Sequence, residues 1–342
     1  MFNRDYLGVY ISADRIRIML GNRTKIKHWE TYDIVKKDLA EENIDEMDFI
    51  YSRVKRFMRQ KKSRTNEILF CITGSDIVTR LVEVPIINKK SLKGSVDWEM
   101  NQYLPGGGTS YYIDFQIIDK IENEEKKVYK LLAAAIPKER IDKLVELSDR
   151  LKLKLRAVDI SSNCVARVFK GERNNRKLQE SIGVINLGDK TSSIVILDKG
   201  NLFVEREVPF GTENVIREIG RRLQVEDKDA EHYLREVFDF GSTSEDIEVD
   251  NRILTMFDNV LSSFLKVIQF YTTGRVKKPL DEIFISGAAC YIHGLEDYIE
   301  NYFNSPACII ISSNNLPTKV KISEDCDVKL YLDVIGLLLR RE

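Results

Sequence analysis

The sequence predicts an α/β protein of two related halves, each on its own sheet, with a smaller α+β module inserted into the first. Three observations carry this. Tyr6–Leu20 and Ile182–Leu197, about half a chain apart, share one design: a β-rich run, a short polar turn and a second β-rich run. The stretch from Val78 to Ile160 reads strand, helix, two strands, helix, strand, which is enough for a module of its own. Beyond the second hairpin the chain turns helical and then returns to a strand at Glu282–Ser286.

The elements follow in order. After the first hairpin, Val78–Val84 alternates as a strand and stops at Pro85. Asn88–Leu104 is helical, with Leu92, Val96, Met100 and Leu104 on one stripe at i+4 spacing. Trp98 lies opposite that stripe, among Ser91, Gly94, Ser95, Asn101 and Gln102. A tryptophan on the nominally wet face calls for a cover, either the rest of the first half or a partner. Gly106–Gly108 reads as a flexible connection. No Lys-Ser/Thr follows it, and it ends a helix instead of opening one, so a phosphate-loop reading fails. Tyr111–Ile121 and Lys127–Ile136 are strands joined by a charged turn. Pro137 opens a helix with Ile141, Leu144, Val145, Ser148 and Leu151 on one face, and Leu153–Ile160 closes the module as a strand. Gly171–Gln179 is charge-rich and reads as an exposed loop between the halves.

Thr212–Leu223, Asp227–Phe238 and Asp250–Thr273 are amphipathic helices. The last places Ile253, Phe257, Val260, Leu261, Phe264, Leu265 and Ile268 on one broad face. Tyr291–Phe303 reads as a helix, Cys308–Ser312 as a strand, and Lys329–Arg341 as an apolar helix. Arg340 and Arg341 then stand in its last turn, where the helix dipole favours cations.

Composition narrows the class. The chain has 342 residues, 43% hydrophobic and 31% charged, which fits about two folded domains. Fifty-three basic residues against fifty-four acidic ones give a net charge of −1, so no global basic footprint for nucleic acid or an anionic membrane exists, although a local patch is compatible with this balance. No stretch approaches the ~18 apolar residues of a membrane span, and the N-terminus enters a strand with no apolar leader. Cys71, Cys164, Cys290 and Cys308 sit in apolar settings and Cys326 in a polar loop, without Cys-x-x-Cys or Cys/His spacing. They read as thiols in a reducing compartment, with neither zinc nor disulfides. Three scattered histidines make no metal triad. These facts point to the cytoplasm.

Two turns suggest a ligand. Asn186–Thr191 has Gly188 for close backbone approach and successive amides that could form an anion nest, though an ordinary hairpin turn has the same letters. Ile283–Gly287 is a second strand ending in glycine. Asp14 and Asp189 read as turn residues instead of metal ligands. Glu231 and Arg235 stand at i,i+4 on a helix.

With these motifs in place the sequence resembles the actin-like nucleotide-binding superfamily, and within it the PilM proteins of type IV pilus assembly, over essentially the whole chain. The first hairpin resembles that superfamily's first phosphate loop, and Asn186–Thr191 its second. Val208–Gly211 resembles the turn that starts subdomain 2B. Ala230-Glu231 with Arg235 resembles the helix that contacts the nucleoside. Ile285–Ala289, followed by Ile292–Leu295, resembles the adenosine motif, and Leu332–Arg340 the closing helix. The inserted module resembles subdomain 1C, which FtsA and PilM proteins carry in place of actin's 1B. The resemblance implies an actin-like ATPase fold: subdomain 1A from 1–77, 160–180 and 330–342; 1C from 78–159; 2A from 181–211 and 282–329; 2B from 212–281. It implies ATP, with Mg if bound, near Ser12, Asp14, Arg17, Gly188, Lys190, Thr191, Gly211, Glu231, Arg235, Gly287 and Ala288.

The departures are specific. Tyr10 and Ser12 stand where the superfamily's first loop reads Asp-x-Gly, and Asn186 replaces the Asp that opens the second loop. Those carboxylates normally hold water around magnesium. A phenol of pKa near ~10 stays neutral, and an amide carries no charge. Losses of this outer-shell kind cost ~10–100-fold each in metal affinity or activity. Ala288 replaces a usual glycine, while Arg17 keeps a cation where lysine is common. No acidic residue is evident as a general base, which argues against efficient hydrolysis. The resemblance therefore implies a non-enzymatic scaffold with a degenerate nucleotide cleft. Its implied partner is the short cytoplasmic N-terminal peptide of the inner-membrane protein PilN, bound between 1A and 1C, with Trp98 the candidate contact. Other pilus platform and motor components would follow, with membrane association only through the partner. Two rivals are an FtsA-like division protein and a small-molecule kinase of the same superfamily. The first carries a membrane-binding tail after its closing helix, for which this chain, stopping at Glu342, leaves no room. The second needs the two missing carboxylates.

Overall fold

Aliphatic residues at Leu7, Val9, Ile11, Ile16, Ile18 and Leu20 anchor Tyr6–Ile11 (β1) and Arg15–Gly21 (β2), which pair in sequence with the more polar Ile26–Asp33 (β3) as an antiparallel meander. This is a computed structural model that describes residues 4–35, 39–40, 44–123, 126–170, 172–173, 176–177, 181–242, 244–273 and 279–340. A helix, α1 (Glu46–Gln60), then buries Phe49, Ile50, Val54 and Phe57. Its N-cap Asp45 accepts from the Asp48 amide at 2.7 Å, and Arg59 sits in its last turn, so both ends suit the helix dipole. Glu67–Ile72 (β4) is buried throughout and pairs in parallel with β1.

The module starts with Val78–Pro85 (β5) and Lys89–Asn101 (α2), whose N-cap Asn88 accepts from the Ser91 amide at 3.0 Å. Tyr111–Glu122 (β6) and Lys127–Pro137 (β7) complete an antiparallel sheet of order β5-β7-β6. Leu92, Val96, Met100 and Leu104 are all buried, against Val82, Val84, Leu131, Ala133 and Ala135. Burying each such side chain contributes roughly 1.5–3 kcal/mol. Lys138–Leu151 (α3) buries Leu144, Leu147 and Ser148; Leu147 takes the place expected for Val145, which is exposed. Lys154–Ile160 (β8) lies within the expected 78–159 module but pairs in parallel with β4, as the last strand of the order β3-β2-β1-β4-β8. The separate sheet is thus built from Val78–Pro137 alone.

The chain divides into two compact units, Met1–Ser161 and Ser162–Glu342. Residues 160–180 and 330–342, expected with the first half, fall largely in the second unit. Ser161–Val168 (α4) leads into that unit from the boundary. Glu172–Arg173 (β9) and Arg176–Lys177 (β10) then pair antiparallel, a ladder within the stretch expected as loop; the rest of 171–180 lies outside the described residues. Ser181–Leu187 (β11), Ser192–Asp198 (β12) and Asn201–Val208 (β13) form a second antiparallel meander. Thr212–Leu223 (α5), Asp227–His232 (α6) and Ile247–Tyr271 (α7) follow, with a π turn at Tyr233–Val237. Glu282–Ser286 (β14), Leu295–Phe303 (α8), Ala307–Ile309 (β15) and Leu332–Leu338 (α9) complete the unit.

The second sheet has the order β13-β12-β11-β14-β15, with β11, β14 and β15 parallel. This is the topology of the first sheet, strand for strand, so the two-hairpin repeat marks a duplicated sheet.

Three expected elements are shorter. Ile292 to Gly294 interrupt the helix expected from Tyr291, because the Phe240 amide bonds the His293 carbonyl and Gly294 turns at φ +74°. The strand expected over Cys308–Ser312 is Ala307–Ile309, since Ser312 caps a short 3₁₀ turn. The closing helix ends at Leu338, so Arg340 lies beyond it and Arg341 outside the described residues. Cys326, expected in a polar loop, is buried. Among the described residues, α7 is by length and composition apolar enough to cross a bilayer, at a mean hydropathy of 1.2, unlike the expectation from sequence. Its face of Ile253, Phe257, Val260, Leu261, Phe264 and Ile268 lies in the core of the second unit; Leu265 is only partly buried.

Candidate functional site

In the second unit the β11–β12 turn is clamped from two sides. The Gly188 amide donates to Thr191 O at 3.1 Å and closes the hairpin. The first amides of α5 are spent on this turn: Thr212 donates to Gly188 O at 3.0 Å and Glu213 to Asp189 O at 2.9 Å. The Gly211 amide donates to the Asn214 side chain at 3.0 Å. A Cβ at Gly211 would overlap the Asp189 backbone, so only glycine lets the helix start reach the turn. On the other side Gly287 turns at φ +98°, and a Cβ there would lie 2.5 Å from Asn186 Oδ1. Gly188, Lys190, Thr191, Gly211 and Gly287 are therefore one close-packed cluster, with Lys190 Nζ 3.8 Å from Glu213.

Glu231 and Arg235 form the i,i+4 pair expected, at 2.5 Å. Arg235 also lies over the ring of Tyr291, 5.1 Å from its centroid, and Lys329 approaches the same ring at 4.1 Å. Tyr291 stands at the end of the 3₁₀ turn Ala288–Tyr291 that follows Gly287. Its hydroxyl bonds Asp327, which Lys329 also contacts at 2.8 Å. Burial and the Asp327 carboxylate push the Tyr291 phenol well above its ordinary range. Tyr291, Asp327 and Lys329 were not singled out by sequence reasoning. A lone tyrosine in Ala-Ala-Cys-Tyr carries no pattern, and its partners lie more than thirty residues further on. Ala288 is buried.

In the first unit, Ser12 Oγ donates to Asp14 Oδ1 at 2.6 Å and the Ser12 amide to Arg15 O at 3.0 Å, which makes the β1–β2 connection a closed turn. Tyr10 and Arg17 are cross-strand neighbours, and the Arg17 guanidinium lies 5.1 Å from the Tyr10 ring centroid. Contacts of this kind contribute about 0.5–2 kcal/mol. The position that would carry a carboxylate thus holds an aromatic ring under a cation.

The sequence profile described as "Type IV pilus assembly protein PilM" matches residues 8–342. The chain belongs to the PilM family. Its fold is similar to that in the solved "PilM-PilN type IV pilus biogenesis complex", with a TM-score of 0.78 at 16% identity, covering 99% of this chain and 98% of that one. It is also similar to MreB 5 of Spiroplasma citri bound to AMPPNP, with a TM-score of 0.55 at 10% identity over 98% and 95% of the two chains. The ethanolamine utilization protein EutJ from Carboxydothermus hydrogenoformans matches at a TM-score of 0.54, 10% identity and 99% and 90% coverage. The fold is actin-like. Among the described residues no group of three His, Cys, Asp or Glu side chains is placed to hold a metal. Tyr10 lies under Arg17 in the first unit, and in the second a Cβ at Gly287 would lie 2.5 Å from Asn186 Oδ1.

The PilM-family module leaves Trp98 uncovered within the first unit, 68% exposed on the face of α2 turned away from the module's core. Packing against the rest of the first half, the alternative open from sequence, does not occur within that unit.

Proposed function

We propose that this chain is a non-enzymatic assembly scaffold of a type IV pilus machine. It binds the short cytoplasmic N-terminal peptide of a PilN-type inner-membrane protein and sits at the inner membrane face through that partner. Family membership over residues 8–342 supports the setting. The observation that carries the partner is Trp98, a large apolar side chain held on a capped helix with nothing of its own unit over it. A peptide in a preformed groove beside the module gains affinity from a few such anchors. In this reading the Val78–Pro137 sheet with α2 is subdomain 1C, and the clustered glycines of the second unit are the remains of a nucleotide cleft. Recruitment of further platform and motor components belongs to the same proposal.

The test is titration calorimetry with the cytoplasmic N-terminal peptide of a PilN-type inner-membrane protein from the same organism. Trp98→Ala is expected to weaken binding by about 2 kcal/mol or more, roughly thirtyfold, with little change in melting temperature. Unchanged affinity would remove Trp98 from the partner site, and failure of the tail to bind the parent chain would overturn the scaffold reading.

A further inference from the structure

One edge of the first sheet concentrates charge that neither the nucleotide nor the peptide reading uses. β1, β4 and β8 run parallel, and the register sets Tyr6 beside Gly21, Gly21 beside Ile26 and Glu67 beside Lys154. The starting ends of those three strands therefore share one edge with the β2–β3 turn. Arg4, Arg23, Lys25, Lys62, Arg64 and Lys154 stand along it, all exposed. Two nearby carboxylates are already engaged: Asp5 by Lys27 at 2.5 Å and by the Asn22 side-chain amide at 2.8 Å, and buried Glu67 by Arg156 at 2.7 Å. The backbone that carries the array is tied across strands. The Lys154 amide donates to Asn66 O at 2.7 Å, Thr65 Oγ1 to Asp5 O at 2.6 Å, and the Lys25 amide to Asn22 Oδ1 at 3.1 Å. Charge of the same sign continues along α1 and the turn after it, where no carboxylate occurs from Phe49 to Asn66. The Ser12–Asp14 turn and the start of the module both lie at the opposite strand ends.

We propose that this edge docks on the anionic phospholipid headgroups of a bilayer. Mutually repelling cations held in place ask for counter-charge from outside. Five strands at ~4.8 Å spacing spread them over roughly 20 Å of sheet edge, in a row and not around a groove. A single-stranded nucleic acid would call for aromatic stacking platforms, and among the described residues no exposed large apolar or aromatic side chain stands along this edge. The row of cations makes the contact electrostatic, at the headgroups. This goes beyond the partner reading and does not depend on it. A tethered tail would only raise the local concentration of lipid.

The experiment is co-sedimentation of the full chain with vesicles of phosphatidylethanolamine and phosphatidylglycerol, against phosphatidylcholine vesicles. Binding to the anionic vesicles alone is expected, lost near ~1 M salt, where the screening length falls to roughly 3 Å. The variant Arg23→Gln/Lys25→Gln/Arg64→Gln/Lys154→Gln should lose roughly fivefold in affinity per cation removed. An equal charge change elsewhere, Arg217→Gln/Lys228→Gln/Lys266→Gln/Lys321→Gln, should keep parental binding. If the first variant fails to fold, its two double components, Arg23→Gln/Lys25→Gln and Arg64→Gln/Lys154→Gln, carry the same comparison. The proposal is overturned by absence of vesicle binding, by equal loss in the two quadruple variants, by tighter binding to duplex or single-stranded nucleic acid at the same salt, or by displacement with millimolar inorganic phosphate. Tail-peptide affinity of the first variant should match the parent, which keeps this outcome separate from that of the partner reading.

Discussion

Glu218 on α5 accepts from three arginines: Arg221 at 2.8 Å, Arg222 at 2.9 Å and Arg252 of α7 at 3.1 Å. Hydrogen bonds from Arg221 and then Arg222 hold its carboxyl down at about 2, against partial burial. A folded-state value below the unfolded one of ~4.3 contributes stability above that pH, and the contribution is lost as pH falls towards 2. Glu218→Gln should therefore melt lower than the parent at neutral pH and converge with it near pH 2. Equal differences at the two pH values, followed by calorimetry, would show that the arginine cluster gives no acid-sensitive support. Burial, with Asp327 and Glu296 adding to it and Lys329 opposing, pushes the Cys290 thiol up to about 12. Maleimide labelling at pH 8 should accordingly be slow at Cys290 and accelerate only on unfolding. Legibility at this scale was uneven. The Glu231–Arg235 pair could be read because its spacing is local, and Gly188, Gly211 and Gly287 because each ends a strand or turn that resembles a superfamily motif. Glu218 with Arg252 and Tyr291 with Lys329 could not, because each pair closes across more than thirty residues and neither side carries a local pattern.

Among elements, the turns around β11 and β14 are the least tolerant. Gly287→Ala combines a left-handed backbone with a Cβ driven against Asn186 and the Leu187 carbonyl. It should cost at least ~2 kcal/mol, with a fall of some 4 °C or more in melting temperature. Gly106, at φ +70° with open space around it, provides the contrast: Gly106→Ala should cost only the backbone term of about 1–2 kcal/mol. Equal losses would mean that close packing adds nothing at Gly287. The periodic elements were the readable ones. The Leu92–Leu104 stripe and the α7 face came straight from helical spacing and are in their cores. Boundaries went astray where tertiary contacts overrode pattern, as at His293, whose carbonyl is taken by Phe240, and at Ser312, where a side-chain cap ends the strand. β8 could be placed as a strand but not in its sheet, because parallel pairing with β4 depends on a connection that runs through the whole module.

For the molecule as a whole, the duplicated sheet was visible as a repeated hairpin, and the module as an interruption of it. With Tyr10 under Arg17 and Asn186 neutral, phosphate release from ATP and magnesium should stay far below the ~10 s⁻¹ typical of enzymes. Calorimetry should give micromolar or weaker ATP affinity, strengthened by Tyr10→Asp with Asn186→Asp if the lost carboxylates are the cause. Turnover near the enzymatic scale, abolished by Gly188→Ala, would overturn the scaffold reading.

The contact between α4 and α9 has a bearing on synthesis. Arg167 Nη1 donates to Gly336 O at 2.8 Å, and Gly336 packs so tightly on the Cys164 carbonyl that a Cβ has no room. The first helix of the second unit thus waits for its last. The Met1–Ser161 unit holds its own cores and can close while translation continues. The second unit cannot seat α4 until residues beyond 330 have left the ribosome. At ~5–20 residues per second, that leaves α4 with Cys164 and Val168 exposed on a nascent chain for roughly 10–30 s. Chaperone capture during that interval should fall on α4, and a stalled chain ending before Leu332 should expose Cys164 to thiol labelling that release of the finished chain abolishes.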